Sequence, residues 1–395
     1  MPCSSIGRAP SRQLGGCGFK SHRGSTSMGV ATHAKLGPVD GLALRAGSLG
    51  CPPLPSLRNR TPVRVRPPRH TEGVSETNIL RLAERVPDEE AAYAYLEGLR
   101  WPNGPVCPHC GNEDRCYFLN PANGKSRKTR TGRQTQRRLW KCGSCRKQFS
   151  VLTDTVMHGT KIPVRTWVFV IFEMCASKNG VSAREIERKY GLCPRSAWFM
   201  TQRIREAMKD NGLSVFVGTV VADETWIGGK PGNRHFCKSG TDKTPVLSLV
   251  NCDTGEVRSR VIPDITGKTL RKVIAERVDM VGSVLHTDGG PQYRDLGTEF
   301  VAHKTVDHYA REYVRDGAGT NQAEGYFSQL KRSLDGTHHH VSHEHLPRYL
   351  AEFDYRYSTR KATDAERMDD LLRRVAGRRL AYKPLTQRDG ASAAS

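Results

Sequence analysis

The sequence has no apolar run approaching the roughly 20 residues needed to cross a bilayer. Its most apolar stretch, Trp167 to Cys175, is short and interrupted by Glu173. No membrane partner is therefore expected. No clean signal peptide opens the chain, and 395 residues is long for a small secreted disulfide scaffold, despite twelve cysteines. The expectation is a cytoplasmic protein with reduced thiols. Acidic residues are scarce, with 40 against 62 Lys and Arg, giving a net charge of +22. A surplus of that size points to a polyanionic partner such as nucleic acid. The bland alternative is a solvated basic surface.

The shortage of acid is most severe at the start. Up to His70 there is one acidic residue, Asp40, against eleven Lys and Arg, and no helical or alternating apolar period is visible. Residues 1–72 read as a disordered basic arm. A second reading is that Cys3 to Arg12 and Gly18 to Arg23 resemble the conceptual translation of a transfer RNA gene. The true start would then be Met28, or a non-Met start codon near residue 72. Neither reading gives the segment a catalytic role.

Helical patterning begins near Thr77, with Leu80, Leu82, Ala83 and Val86, then Ala91, Tyr93, Leu96 and Leu99. The run Pro87 to Glu90 suits a helix start with acids in its first turn. Four of the cysteines then fall into two Cys-x-x-Cys pairs, Cys107/Cys110 and Cys142/Cys145, with 31 residues between them. Two such knuckles can close a tetrahedral thiolate site around a structural Zn²⁺. Gly111 and Gly143 are expected to allow the tight turns. His109 and Cys116 stand nearby but fall outside the pattern. Lys125 to Lys141 carries eight basic residues and no acid, which suits contact with a phosphate backbone. The rival reading of the pairs is a redox centre, and that of the basic stretch is a mobile solvated loop. The region is taken as residues 78–150.

Residues 160–210 read as helix-turn-helix-like. Thr166 to Cys175 has helical composition, Ser182 to Glu185 makes a capping box, Gly191 ends the second helix and Pro194 opens a third. Trp198, Met200, Ile204, Ala207 and Met208 space as one apolar face, leaving Arg195, Arg203 and Arg205 elsewhere. On this reading Arg195, Ser196 and Gln202 lie near a DNA groove. A plain helical linker is the alternative.

From residue 213 the period changes. Val215 to Val221 is a β-branched run that leads into Asp223, a carboxylate on a buried strand, where it is costly unless paired or bound to metal. Val246–Val250 and Val257–Ile262 form a hairpin about the turn Asp253 to Gly255. Thr266–Val278 reads as a helix, and Ser283 to Asp288 as a strand that ends in an acid before a Gly turn. Glu324 then sits early in a helix that continues through Lys331, seven residues later and on the same face. Strand-acid, hairpin, helix, strand-acid, helix-acid is the order of an RNase H-like fold. The class expected is therefore α/β, an RNase H-like catalytic domain at 213–360 preceded by the zinc ribbon and the helix-turn-helix-like region. Residues 361–395 are taken as a basic tail. The cluster His338 to His340, with His343 and His345, reads as a solvated helix start or DNA-facing patch.

These motifs resemble bacterial insertion-sequence transposases of the DDE type, in the group with an N-terminal zinc ribbon. The resemblance covers about residues 78–360. It rests on Arg100 to Gly111, on Val156 to Lys161, on Asp223 to Gly229, on Thr287-Asp288, and on Thr320, Asn321, Glu324, Phe327 and Lys331. It implies that Asp223 and Asp288 are the first two metal-holding acids. Members of the group have Glu or Asn at the third position. Glu324, 36 residues after Asp288, is preferred because a carboxylate holds Mg²⁺ better than an amide. Asn321 assists, and Lys331 reaches DNA. Glu224 is left out because alternation on a strand turns it to the opposite face. The implied cofactors are Mg²⁺ (or Mn²⁺) and structural Zn²⁺. The implied partners are double-stranded DNA, as terminal inverted repeats and target, and further copies of the chain in the DNA complex. Two rivals keep the DNA partner. One is a regulator or domesticated element that binds without catalysis, and the other is a nuclease or integrase of the same fold acting on other DNA.

Overall fold

A computed structural model of the protein describes residues 78–119, 127–128, 134–135, 138–212, 214–228, 243–306, 319–382 and 385, all within the second of the chain's two compact units, Thr71–Ser395. The N-terminal arm, the side chains of the basic stretch from 125 to 137, and the Gly-rich end of the Asp223 motif beyond Gly228 lie outside the described residues.

Two helices come first, α1 (Ile79–Arg85) and α2 (Glu89–Arg100), capped by the Asn78 and Asp88 side chains. The ribbon follows as β1 (Cys116–Phe118), β2 (Arg127–Lys128), β3 (Gln134–Thr135), β4 (Trp140–Cys142) and β5 (Gln148–Phe149). Its three-stranded sheet runs β1-β4-β5, and β2 pairs separately with β3. Next are α3 (Val164–Ala176), α4 (Ala183–Tyr190) and α5 (Pro194–Met208). Ser182 accepts from the Glu185 amide at the start of α4, and Gly191, in the left-handed region at φ 62°, ends it, as the sequence pattern anticipates.

Ribbon and helices do not have separate interiors. Leu82, Leu96, Cys107, Cys142, Phe149, Trp167, Ile171, Ile186 and Ile204 belong to one buried cluster. The same cluster takes in Met368, Leu371, Leu372 and Val375 from the far end of the chain. The stretch from 361 onward is thus not simply a tail. Residues 364–373 form α10 (Asp364–Arg373), opened by a Thr363–Glu366 capping box, and Val375 accepts a backbone hydrogen bond from Val156. The expected tail at 361–395 thus includes a packed helix, because a short helix needs only one buried stripe to be held by tertiary packing.

The second core belongs to a five-stranded sheet. Its strands are β6 (Phe216–Ile227), β7 (Thr244–Asn251), β8 (Val257–Val261), β9 (Val278–Asp288) and β10 (Ala302–Val306). The order is β10-β9-β6-β7-β8, with β6, β7 and β8 antiparallel and β9 and β10 parallel to β6. That is the strand order of an RNase H-like domain. Both faces are covered. Val220, Ala222, Leu249 and Leu285 pack with Leu270 and Ile274 of α6 (Gly267–Ala275) and with Leu296 of the short α7 (Arg294–Gly297). Val221, Ile227, Val246 and Val250 pack with α8 (Asn321–Ser333) and α9 (Leu346–Ser358).

The helical core and the sheet domain meet through buried charge. On α5, Arg205 donates to Glu352 of α9 at 2.6 Å, and Arg356 reaches the other oxygen of the same carboxylate at 3.1 Å. Arg205 is 1% exposed and Glu352 is 0% exposed. The Arg205 guanidinium also stacks on Tyr349, 4.0 Å from the ring centroid. Arg203 and Arg205, read as lying off the apolar face of this helix, are both buried, and Arg203 donates to the His158 carbonyl. Charge was taken as a marker of the outer face, whereas these arginines serve as struts between elements.

The His338–His340 cluster is split. A single π turn (Leu334–His338) follows α8 and turns His338 inward against Tyr349 and Phe353, while His339 and His340 stay exposed. Burial pushes the His338 imidazole down to about 4. It is neutral in the fold at pH values where the unfolded chain would already be protonated. Its contribution to stability is therefore intact above about pH 6.5 and is lost as pH falls toward 4, by up to about 3 kcal/mol. His338→Leu should flatten this part of the stability profile measured by chemical denaturation. An unchanged slope between those pH values contradicts the assignment. Truncating the shared carboxylate, Glu352→Ala, leaves two buried guanidinium groups without it and should cost about 3–5 kcal/mol. A loss under about 1 kcal/mol would show that water reaches the pair.

Candidate functional site: a cysteine knuckle pair and a carboxylate-bearing strand end

The four ribbon cysteines converge. Their sulfur atoms all lie within 4.8 Å of one another, with Cys107 to Cys145 at 3.6 Å and Cys110 to Cys142 at 3.7 Å. A tetrahedron with Zn–S bonds of about 2.3 Å has edges near 3.8 Å, so the donor set and its spacing fit zinc. Each knuckle is built by backbone hydrogen bonds that turn amides toward sulfur. Gly111 donates to the Cys107 carbonyl, and Cys142 to that of Lys147. The amides of Cys145 and then Ser144 push the Cys142 thiol down to about 6, which favours the metal-binding thiolate.

The two glycines differ in role. Gly111 adopts φ 71°, the left-handed turn expected of it. In the second knuckle the left-handed residue is Arg146, at φ 58°, and Gly143 is not. Gly143 is small because Arg115 lies across it, its Cβ 3.1 Å from where a Gly143 side chain would begin. Cys116 sits opposite Cys142 in the sheet, where burial raises its thiol to about 11 and keeps it protonated, in line with its exclusion from the ligand set.

The ribbon is seated on α2. Glu97 accepts from the Trp140 indole at 3.0 Å and from Arg138 at 3.1 Å, and Trp101 meets Trp140 and Phe149 edge-on. Arg138, expected among the DNA-facing bases, is thus engaged with Glu97 and stacked on Phe118. The helix-turn-helix reading loses Gln202, which is fully buried and hydrogen-bonded to Tyr349. Arg195 remains exposed at the start of α5 beside Tyr382, and Ser196 is partly buried.

At the other end of the unit, β6 and β9 run parallel with Val220 opposite Leu285 and Val221 opposite His286. Carrying that offset forward two residues sets Asp223 and Asp288 level at the carboxyl ends of neighbouring strands. Alternation also fixes their face. Val221 and Ile227 point toward α8, and so does Asp223 between them, whereas Leu285 points toward α6, so that Asp288 faces α8. Glu324 lies in the first turn of α8, exposed, accepting from Thr320 at 3.4 Å. Asn321 and Lys331 are also exposed on this helix, one turn before and two turns after Glu324.

The structure therefore brings the two aspartates to one strand end and one face, with Glu324 on the helix that covers that face. Among the described residues only the four cysteines form a group of ligand atoms within 4.8 Å of one another.

Glu224 points the other way, toward α6, as alternation predicts. It is nevertheless part of the site's wiring. Its backbone amide donates to Asp223 at 2.8 Å, and its side chain accepts from Tyr293 at 2.7 Å. Burial above all raises its carboxyl to about 7, with the charges of Asp288 and Asp223 adding to the rise. Tyr293 is fully buried, and its role was not anticipated, since an aromatic in a Pro-containing turn gives no sequence signal of its partner.

Two family models match the chain. The ISXO2-like transposase domain covers residues 216–358 and the transposase zinc-ribbon domain covers residues 87–148. No curated protein shows significant similarity. Among solved structures, the catalytic core domain of BIV integrase is similar at 18% identity and TM-score 0.24, covering 34% of this chain and 80% of that one. The HTLV-2 integrase catalytic core domain, in a dimeric form with magnesium, is similar at 14% identity and TM-score 0.23, covering 34% and 84%. At those scores the fold assignment rests on the strand order, not on the likeness.

A ribbon whose metal organises part of a larger core should not unfold alone. Purified protein should contain one zinc per chain. Removing it with a chelator, or replacing Cys107 with Ser, should lower the melting temperature of α2 and α3 together with the ribbon. Loss of zinc without any change in helical melting would contradict the shared core.

Proposed function

Because the chain belongs to the insertion-sequence transposases of the DDE type that carry an N-terminal zinc ribbon, we propose that it cuts its element's ends and joins them to target DNA through Asp223, Asp288 and Glu324. The observation that carries the residue assignment is the level placement of Asp223 and Asp288 on one face of adjacent parallel strands, under the helix that bears Glu324. Carboxylates so gathered suit a pair of divalent cations, Mg²⁺ or Mn²⁺, which when bound would activate a water and stabilise a leaving 3′ oxygen.

The chemistry needs no protein nucleophile. A water oxygen forms a bond to phosphorus at the element end as the bond to the 3′ oxygen breaks, leaving a 3′-hydroxyl and a 5′-phosphate. That 3′ oxygen then attacks a target phosphodiester, one P–O bond forming as another breaks. Lys331, seven residues along α8 from Glu324, is positioned to hold a backbone phosphate, and Asn321 to orient the same end of the helix. The net charge of +22 supplies the general attraction to DNA. Among the described residues no helix is long and apolar enough to cross a membrane. The proposed setting is the cytoplasm, on nucleoid DNA, with two or more copies of the chain pairing the element's ends.

The test is cleavage of an oligonucleotide duplex carrying the element's terminal repeat. Asp223→Asn and Asp288→Asn should each lower the rate by at least about a thousandfold, and Glu324→Gln by a similar factor, with duplex binding retained. Cleavage persisting in Asp223→Asn or Asp288→Asn would overturn the assignment of the pair. An active Glu324→Gln beside an inactive Asn321→Ala would move the third position to Asn321.

A further inference from the structure

The turn that follows Asp288 is tied to the residue that follows Asp223. Pro291–Tyr293 forms a single 3-10 turn directly after Gly289 and Gly290. From it the Tyr293 hydroxyl donates to Glu224 Oε1 at 2.7 Å, and the Gln292 side chain lies near enough to the same carboxylate to favour its charged form. The Gln292 amide folds back over Gly290, its Nε2 2.5 Å from where a Gly290 side chain would begin, and the Gln292 carbonyl lies 2.9 Å from the corresponding point on Gly267. The turn is thus wedged between the amino end of α6 and the sheet. Tyr293 is fully buried among Val220, Ala222, Leu270 and Leu285. The connection continues to the metal-facing side, because the Glu224 amide donates to Asp223 and the Gly290 amide to Asp288.

We propose that Glu224, Tyr293 and Gln292 form a positioning clamp that fixes the separation of Asp223 and Asp288 from behind the sheet. The clamp touches neither DNA nor cation. Its carboxylate projects from the α6 face, while the aspartates project from the α8 face of the same strand ends. What it sets is the relation of strand β6 to the turn that follows β9. Glu224 accepts from Tyr293 and has Gln292 beside it, which gives an acidic residue next to Asp223 a use that metal binding does not. The proposal rests on Asp223 and Asp288 being the metal-holding pair.

The experiment is calorimetric titration of the full-length protein with Mn²⁺, read beside thermal melting. Tyr293→Phe keeps the buried ring and removes the hydroxyl that grips Glu224. Removing a direct hydrogen-bond partner of a metal ligand typically weakens binding by about tenfold or more, and Tyr293 and the Glu224 carboxylate act one contact further out, so a factor of about four is expected. Tyr293→Phe and Glu224→Ala should each raise the Mn²⁺ dissociation constant by about that factor, and Glu224→Gln, which keeps an acceptor oxygen, by less. Leu270→Ala, in the same core but outside the clamp, should lower the melting temperature while leaving Mn²⁺ affinity within about twofold of the parent. Wild-type affinity in Tyr293→Phe overturns the clamp, and so does an equal loss in Leu270→Ala, which would mark a general loosening. Asp223→Asn tests the premise separately. Retained Mn²⁺ binding there overturns the metal assignment, whatever Tyr293→Phe shows.

Discussion

On the proposed reading, bringing acidic side chains to one place is the constraint around which the sheet domain is organised. Asp223 and Asp288 stand level on adjacent strands, Glu224 is coupled to both, and Glu324 covers the face they share. No arrangement of acids alone would stay together at short range. Strands carry the two aspartates, a buried tyrosine holds the turn behind them, and the helix that bears the exposed Glu324 packs its buried stripe of Ala323, Tyr326 and Leu330 on the same side. On the proposed reading, the packing of both sheet faces keeps these acids near one another for a cation to join. DDE chemistry needs such an arrangement, since its substrate is itself a polyanion.

The helical and ribbon half answers a different need. It has one interior in place of two, and the zinc knuckles, α3 to α5 and α10 are all walls of it. The Arg205–Glu352–Arg356 group then connects that interior to α9, which lies against α8. Buried ion groups of this kind add little net stability over an apolar contact but are intolerant of misfit. They suit a joint between a DNA-holding region and a cutting region, where orientation matters more than strength.

Much of this was legible in the sequence. The two Cys-x-x-Cys pairs gave the ribbon, because thiolates at that spacing have few other uses. The β-branched run into Asp223, the Asp253–Gly255 turn and the strand ending at Asp288 marked the order of elements along the chain, because alternation and turn residues constrain a sheet locally; strand β10 went unread. Alternation also placed Glu224 on the far face correctly. What escaped was set by long-range packing. Gln202 and Arg205 are buried because α9, some 150 residues later in the chain, brings partners to them, and Arg203 because it packs on Trp167 and Phe199 and reaches the His158 carbonyl. Residues 364–373 looked like tail because the core they complete is made by residues near the other end. Tyr293 could not be linked to Glu224 without knowing that the turn folds back over β6.

The central claim is that Asp223 and Asp288 face each other across one cation-binding space with Glu324 as the third wall. Anomalous scattering at the manganese edge, from crystals of the protein bound to a duplex end and soaked in Mn²⁺, tests it most directly. The account predicts density within about 2.0–2.4 Å of carboxylate oxygens from both aspartates, with Glu324 reaching the same site. Manganese bound elsewhere, or held by one aspartate while the other turns to solvent, would contradict it.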